Sequence, residues 1–221
     1  MSFLIKICGI TNFDDARAAV DSGSDALGFN FFNKSRRSIE PDIARQLVAQ
    51  LPSNILKVGV FVNHDVAQIV EIADRVGLNA VQLHGDEPPS TIVELPPHLR
   101  IVRAHRCGPE GLIPLAIYLE QCHALGRMPD ALLIDADAGA EFGGSGKLAD
   151  WAVIRQQKDA LGLPLILAGG LTPANVAAAI EAVAPDGVDV ASGVERSAGH
   201  KDKVLIASFI SAARDASSQM T

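Results

Sequence analysis

Short, continuously apolar runs recur along this chain, each followed by a longer amphipathic stretch, and that alternation restricts the fold more than any other feature. Runs rich in Val, Ile and Leu lie near Phe3–Cys8, Ala26–Asn30, Leu56–Phe61, Ala80–Leu83, Ile101–His105, Ala131–Asp135, Leu165–Ala168 and Gly187–Val190. Strands apolar on both pleat faces suit a parallel sheet buried on both sides. Between them, Thr11-Asn12-Phe13-Asp14 resembles a capping box for a helix closed by Gly23, and Pro41 leads Ile43–Leu51. Asn63 precedes Val66–Val76, which stops at Gly77, and Leu112–Leu125, Asp150–Leu161 and Lys203–Ala216 are helical stretches. Thr172-Pro173 reads as an N-cap followed by proline, leading into Asn175–Val183, and Glu87–Leu95 is weaker, with three prolines around it. Eight such units in 221 residues leave roughly 28 residues each, about what a strand–helix unit needs. The expectation is an α/β fold, a single (β/α)8 barrel domain over residues 1–221 with a parallel eight-stranded barrel; a doubly wound open sheet is the alternative.

Composition removes several function classes. With 48% hydrophobic and 20% charged residues the chain can build a core, which excludes global disorder. The 19 basic and 26 acidic side chains give a net charge of -7, which argues against nucleic acid as a partner but not against small anionic substrates. Cys8, Cys107 and Cys122 show no CxxC spacing, so neither a disulfide framework nor a zinc ribbon is expected. The first apolar run is too short for a signal peptide and no later run approaches a membrane span, so a soluble cytoplasmic protein without membrane partners is expected.

In a barrel, chemistry sits where strands end on the C-terminal face. Alternation along each strand then selects inward residues. Lys6 and Cys8 share a face; Gln82 and His84 point inward at the top; Asp135 ends an entirely apolar run; Asp189 lies late in the last strand. Each has a structural alternative: a buried cysteine as a small apolar residue, a satisfied histidine, Asp135 as a loop cap, and Asp189 accepting hydrogen bonds from a loop. Lys57 and Arg103 are expected to be charges paired within the barrel, since an unpaired buried charge is costly. Three glycine clusters follow the last three strands: Gly143–Lys147 containing Gly144, Ser145 and Gly146, then Gly169-Gly170, then Ser192-Gly193. Glycine lets backbone N–H groups approach an anion, so together these form a candidate phosphate site. Gly143–Lys147 is not a Walker loop, because Glu141 stands where its first glycine is required and Leu148 replaces Ser or Thr. Six scattered histidines without HxxxH or HExxH give no metal motif, and no metal is expected.

Taken in order, Lys6-Ile7-Cys8-Gly9-Ile10-Thr11, Gly28-Phe29 with Ser35-Arg36-Arg37, Gly59–Asn63, Gln82-Leu83-His84-Gly85-Asp86-Glu87, Leu133-Ile134-Asp135, Gly143–Lys147 with Asp150-Trp151, Ala168–Leu171 and Asp189–Glu195 resemble the phosphoribosylanthranilate isomerase family of tryptophan biosynthesis. The resemblance spans essentially the whole chain. It implies a (β/α)8 barrel that isomerises N-(5'-phosphoribosyl)anthranilate to a deoxyribulose phosphate by an Amadori rearrangement, with no cofactor or metal. It implies Cys8 as general base, Asp135 as general acid and Arg37 at the anthranilate end, with Gln82, His84 and Asp189 as further substrate-binding candidates. Arg36 stands where the family commonly has proline, which leaves two neighbouring arginines at that end; His105-Arg106-Cys107 is less typical of the family. Monomer and homodimer both stay open.

The residue types suit this chemistry on their own terms. Opening a furanose needs a proton on the ring oxygen, and moving the carbonyl needs a proton removed from C2'. A carboxylic acid desolvated at the end of an apolar strand can retain a proton, and a thiol near neutral pH can act as a base once ionised. Lys6 is expected to lower the Cys8 pKa, so that the acidic limb of kcat/KM would report the base. His84 is the rival base. Rival functions are another phosphosugar enzyme on the same barrel, epimerase-like and metal-dependent, and a non-catalytic phosphosugar-binding module.

Overall fold

The structure is a computed structural model that describes residues 3–136 and 151–220. Eight strands close into a barrel in sequence order. They are β1 (Leu4–Cys8), β2 (Ala26–Asn30), β3 (Leu56–Phe61), β4 (Ala80–Leu83), β5 (Arg100–Arg106), β6 (Ala131–Asp135), β7 (Leu165–Ala168) and β8 (Gly187–Val190). Every neighbouring pair is parallel, and β8 closes on β1 with Lys6 beside Asp189. The open sheet is thereby replaced by the closed barrel. The helices between strands are α1 (Phe13–Asp21), α2 (Pro41–Val48), α3 (Val66–Val76), α4 (Pro89–Glu94), α5 (Ile113–Ala124), α6 (Trp151–Gln157), α7 (Val176–Val183) and α8 (Lys203–Ser218). Among the described residues no helix is long and apolar enough to cross a membrane.

Three helix starts differ from the sequence expectation, each for a local hydrogen-bonding reason. The cap of α1 is Asn12, which accepts from the Asp15 N–H, while the Thr11 hydroxyl donates to the Gly199 carbonyl instead. The cap of α3 is Asp65 in a full capping box with Gln68; Asn63 sits in the left-handed region and its side chain accepts from the Asp86 N–H. Thr172 to Asn175 forms a turn, in which Asn175 accepts from the Thr172 N–H, and α7 begins only at Val176. Asp150, expected to open α6, lies outside the described residues. Beyond β8 the chain adds a small antiparallel pair, β9 (Glu195–Ser197) and β10 (His200–Lys201), which the sequence reading did not contain.

The main apolar core lies between strands and helices, built from outward residues such as Ile7, Leu27, Phe61, Leu83, Ile134 and Val188. The lumen is filled differently. Ala26, Val58 and Ala80 form one small apolar group, and Val102, Ala104, Leu133, Ile166 and Ala168 form another. The buried Lys6, Gln82 and Asp189 lie in the same inward-facing layers. Lys6 Nζ donates to Asp189 Oδ1 at 2.9 Å and to Gln82 Oε1 at 3.0 Å, joining β8, β1 and β4.

At the N-terminal end of the barrel a single device repeats. Asp25, Asn79, Asp130 and Asp186 each directly precede a strand or lie one residue before it. Their side chains accept from the N–H of Ile5, Lys57, Ile101 and Leu165 at 2.7, 3.0, 2.7 and 2.8 Å. Each satisfies a strand-start donor that has no helix or strand partner, which a buried barrel rim requires.

Of the two strand cations expected to be paired within the barrel, Arg103 is ion-paired with Glu87 but on the outward face, and Lys57 is held by backbone carbonyls. Lys57 donates to the backbone carbonyls of Pro52 and Ser53 near the start of β3. Arg103 has the outward parity of Ile101. It donates to Gly85 O and Glu87 Oε2, both at 2.9 Å, and lies 4.7 Å from the centre of the Tyr118 ring on α5. Alternation explains both: odd positions of β5 face the helices, and the basic head of Lys57 turns back to the loop that feeds its strand.

Candidate active site

The C-terminal ends of the strands assemble most of the sequence candidates around one mouth. Cys8 ends β1 on the same face as Lys6 and is 9% exposed. Across the β1–β2 pair, Gly28 is its register partner. A Cβ at Gly28 would lie 2.6 Å from the Cys8 sulfur, so only glycine leaves the thiol this position. Asp135 ends β6 with inward parity after Leu132, Leu133 and Ile134, all buried, and its side chain keeps 24% exposure. That is wetter than the burial expected for a carboxyl group held protonated by desolvation alone.

A chain of hydrogen bonds runs from beneath Cys8 toward Asp135. Gln82 receives the Lys6 proton at Oε1, which orients its amide so that Nε2 meets His84 Nδ1 at 2.7 Å. Nδ1 must then be the acceptor and Nε2 carries the proton. Nε2 faces Asp135 Oδ2 at 3.9 Å. Burial first, then the charges of Lys6, Arg106 and Arg103, lower the His84 pKa to about 4. The imidazole is therefore neutral near pH 7, and the His84–Asp135 approach is not an ion pair. An imidazole of that pKa is also a weak base, which counts against His84 as the proton acceptor.

The Cys8 thiol is pushed up, not down. Burial raises it, and Asp189 adds to that, while Lys6 and Lys201 pull the other way without prevailing. Lys6 thus acts in the expected sense but does not set the net direction, because burial of the thiol outweighs it. For Lys6 itself, burial lowers the pKa, but Asp189 and Cys8 together outweigh it and the net shift is upward. Asp189 accordingly accepts from Lys6 on the neighbouring strand β1, where the sequence reading had favoured a loop donor.

Arg37 reaches the mouth from the β2–α2 loop. Its side chain crosses Gly9, the residue after Cys8, with Cδ 2.6 Å from where a Gly9 Cβ would stand. It donates from Nε and Nη2 to the two Glu195 carboxylate oxygens at 2.7 and 2.8 Å. The Glu195 hydrogen bonds raise the Arg37 pKa. For Glu195, burial pushes up but Arg37 and Lys201 outweigh it, and its carboxyl titrates below the usual range. Arg36 is exposed, so of the two neighbouring arginines Arg37 is the one built into the site.

The loops after β7 and β8 lie against each other. Gly169 and Gly170 both take left-handed backbone angles, and a Cβ on Gly193 would collide with the Leu171 carbonyl. Ser192 and Gly193 thus sit beside the Gly169-Gly170 turn, as a shared anion site would need. Gly144, Ser145 and Gly146 lie outside the described residues. Among the described residues no group of three or more His, Cys, Asp or Glu side chains is arranged to hold a metal ion.

Several contributors escaped the sequence reading. Glu195 and Lys201 had no assigned role, and their partner Arg37 is 158 residues from Glu195 along the chain. Gly28 was quoted only as a motif letter. Arg106 was passed over as atypical, yet its strand parity puts it at the mouth, opposite Asp135 in the β5–β6 register. Parity was the signal available for Arg106: it follows Val102 and Ala104 at intervals of two.

Comparisons with known proteins agree with this arrangement. The family model described as N-(5'phosphoribosyl)anthranilate (PRA) isomerase matches residues 5–212. An N-(5'-phosphoribosyl)anthranilate isomerase of Thermotoga neapolitana is 42% identical over 210 residues, 95% of this chain and 98% of that protein. The crystal structure of phosphoribosyl anthranilate isomerase from Thermotoga maritima superposes with a TM-score of 0.87 at 40% identity, covering 96% of this chain and 99% of that one. A crystal structure of the isomerase in complex with reduced 1-(o-carboxyphenylamino)-1-deoxyribulose 5-phosphate gives 0.83 at 37% identity, with the same coverage. A match of this extent, over a barrel with these residues at its mouth, places the chain in the N-(5'-phosphoribosyl)anthranilate isomerase family.

Proposed function

We propose that this chain, as one barrel domain, converts N-(5'-phosphoribosyl)anthranilate to 1-(2-carboxyphenylamino)-1-deoxyribulose 5-phosphate in tryptophan biosynthesis, with Cys8 as general base, Asp135 as general acid and no metal. The activity follows from family membership; the assignment of roles rests on geometry. The observation that carries it is the inward placement of Cys8 and Asp135 at the C-terminal ends of β1 and β6, connected below the mouth by Lys6, Gln82 and His84. Three cysteines, none of them joined in a disulfide, suit a reducing cytoplasm.

The steps follow from the groups present. Asp135 protonates the furanose ring oxygen, and the anilino nitrogen lone pair expels that oxygen from C1'. The resulting iminium withdraws electrons from C2' and acidifies its proton. The Cys8 thiolate removes that proton, leaving an enolamine, which tautomerises to the ketone. The Lys6 ammonium beneath the sulfur stabilises the thiolate, and Lys201 adds a second positive charge nearby. Neutral His84 directs an N–H toward Asp135, which stabilises its carboxylate after the proton has left. Arg37 takes the anthranilate carboxylate. The backbone of Gly169, Gly170, Ser192 and Gly193, with Gly144, Ser145 and Gly146, holds the phosphate.

The raised thiol changes the expected pH dependence. If the acid titrates below the base, the active combination is the minority form, with the acid protonated and the thiol ionised. The acidic limb of kcat/KM then reports the acid, and the alkaline limb reports Cys8. The test joins Cys8→Ala and Asp135→Asn with a Cys8→Ser pH profile. Each of the first two should lose about 10²- to 10⁴-fold in turnover while binding the reduced product analogue nearly as well as wild type. In Cys8→Ser the alkaline limb should leave the accessible range. Near wild-type turnover in either single variant, or an unmoved alkaline limb in Cys8→Ser, would overturn the corresponding role.

A metal-dependent epimerase has no specific observation in its favour. A non-catalytic binding module leaves the Cys8–Asp135 arrangement without a purpose.

A further inference from the structure

Arg37 presents a difficulty for its proposed role. Both of its inner N–H groups already serve Glu195, whose side chain is 4% exposed. A guanidinium neutralised by one carboxylate offers little net charge to a second. Lys201 alters that balance. Its side chain is 0% exposed, and Nζ donates to Glu195 Oε1 and to the Ala191 carbonyl, both at 2.9 Å. Burial lowers the Lys201 pKa, the hydrogen bond and charge of Glu195 oppose that in favour of the ammonium, and the backbone N–H is anchored separately on Asp15. Arg37, Glu195 and Lys201 therefore form a triad of two cations around one carboxylate. Lys201 closes it from the protein side, and Arg37, with 27% of its side chain exposed, faces the mouth. Cys8 is the other titratable group acting on both cations, and as a thiol it leaves the net charge of the triad at +1.

We propose that Lys201 is a positioning residue that balances Glu195 from behind, so that Arg37 keeps a net positive charge for a carboxylate at the aromatic end of the substrate. Lys201 never touches that carboxylate. The inference rests on the reading of Arg37 given above and adds the element that makes a paired arginine competent to bind an anion.

The Lys201 ammonium also holds the Ala191 carbonyl, one residue before Ser192, so the experiment must separate the carboxylate end from the phosphate end. Two probes do this: reduced 1-(o-carboxyphenylamino)-1-deoxyribulose 5-phosphate and its counterpart lacking the carboxylate. Calorimetry on the full chain should show that Lys201→Met binds the carboxylate probe about tenfold or more weakly, because a buried charge is left unbalanced. The probe without carboxylate should change little. Adding Glu195→Gln to Lys201→Met removes the unbalanced charge, returns the triad to +1 and should recover most of the affinity. Equal losses for both probes, or no recovery in the double variant, would overturn the proposal. Glu195→Gln alone keeps the proposal testable if Lys201→Met does not fold. It should bind the carboxylate probe at least as tightly as wild type, and a loss of about tenfold would overturn the charge argument. Wild-type protein that binds both probes equally well would instead remove the reading that seats the carboxylate at Arg37, and the inference with it.

Discussion

The two ends of this barrel use acidic side chains in opposite ways. At the N-terminal end, Asp130 and Asp186 accept backbone N–H groups from strand starts, and Asp25 does the same while also pairing with Arg214 at the surface. At the C-terminal end, Asp189 and Glu195 accept from the side-chain cations Lys6, Arg37 and Lys201. A backbone donor fixes geometry and carries no net charge. A side-chain cation brings charge, can be rebalanced by a ligand, and shifts the titration of its neighbours. The first arrangement holds a fold; the second can do chemistry, at the cost of keeping charges buried. Substitutions at the two ends should therefore separate stability from activity.

The largest effect belongs to the charge in the lumen. Lys6→Met removes the cation that holds Asp189 and Gln82, and leaves a carboxylate 7% exposed with its partner gone. Breaking one side of such a pair costs about 3–5 kcal/mol. Chemical denaturation should show that loss, and turnover should fall with it because the thiolate loses its nearest cation. Lys6→Met combined with Asp189→Leu should recover much of the stability and none of the turnover. If the double variant recovers activity as well, Lys6 is purely structural and the contrast between the ends is lost.

A second effect depends on pH. The folded His84 pKa is lowered by burial and nearby cations to about 4, below the ordinary imidazole value of 6.5. Between these values the unfolded chain binds the proton that the native site refuses. His84 therefore adds nothing to lose above pH 6.5, and stability drains away as pH falls from about 6.5 to 4, with no further change below. The shift corresponds to a contribution on the order of 3 kcal/mol. Urea titrations at several pH values should show His84→Gln less sensitive than wild type across that window. Parallel curves for the two proteins would mean that His84 is not held neutral.

At the opposite end, Asp130→Ala leaves the Ile101 N–H without its acceptor at 2.7 Å. An unsatisfied buried donor costs about 1–3 kcal/mol. Thermal melts should register this while kcat and KM stay at wild-type values, since Asp130 lies at the far end of the barrel from Cys8. A change in kcat comparable to the stability loss would show that the two ends are coupled.

These contrasts also explain what could be read from residues alone. The bounds of β2, β3, β4, β6, β7 and β8 follow directly from apolar runs, which stay legible because a strand buried on both faces carries at most one polar residue among its apolar ones. Cys8, Gln82, His84 and Asp135 were reachable by adding parity to those runs. Helix starts slipped because several polar residues stood close enough to compete for each cap: Asn12 and Asp65 took the positions for which Thr11 and Asn63 were eligible. The β9–β10 pair is short and polar and carries no periodic signal. The triad of Arg37, Glu195 and Lys201 was invisible because its members come from a loop and two short strands, joined only by closure of the barrel. The direction of the Cys8 shift was misjudged because burial of the thiol outweighs the cation Lys6 visible nearby, and the Asp189 charge, brought close by the β1–β8 closure, adds to it.

The smallest expected effect sharpens the comparison most, because it holds chemistry constant and varies only the surroundings. Arg75 on α3 donates from Nε and Nη2 to the two Asp42 oxygens at 3.0 and 2.7 Å, a fork nearly identical to that of Arg37 on Glu195. The difference is water. The Arg75 and Asp42 side chains are 44% and 64% exposed, against 27% and 4% for Arg37 and Glu195. Solvent screens the outer pair in both states, and ordering two long side chains offsets part of the attraction, so such pairs contribute about 0–1 kcal/mol. Arg75→Ala should therefore lower stability by no more than that, with a dependence on salt and no change in kcat or KM. In the inner pair the same deletion leaves the buried Glu195 with Lys201 as its remaining cation, and empties a well-packed bidentate fork that water barely reaches. Arg37→Ala should cost several times more, and adding Glu195→Gln should not return that stability, because it leaves the buried Lys201 ammonium without a carboxylate; affinity for the carboxylate ligand stays lost. If the two arginine deletions cost the same, burial does not distinguish these forks, and the triad at the mouth is held by something other than its charges.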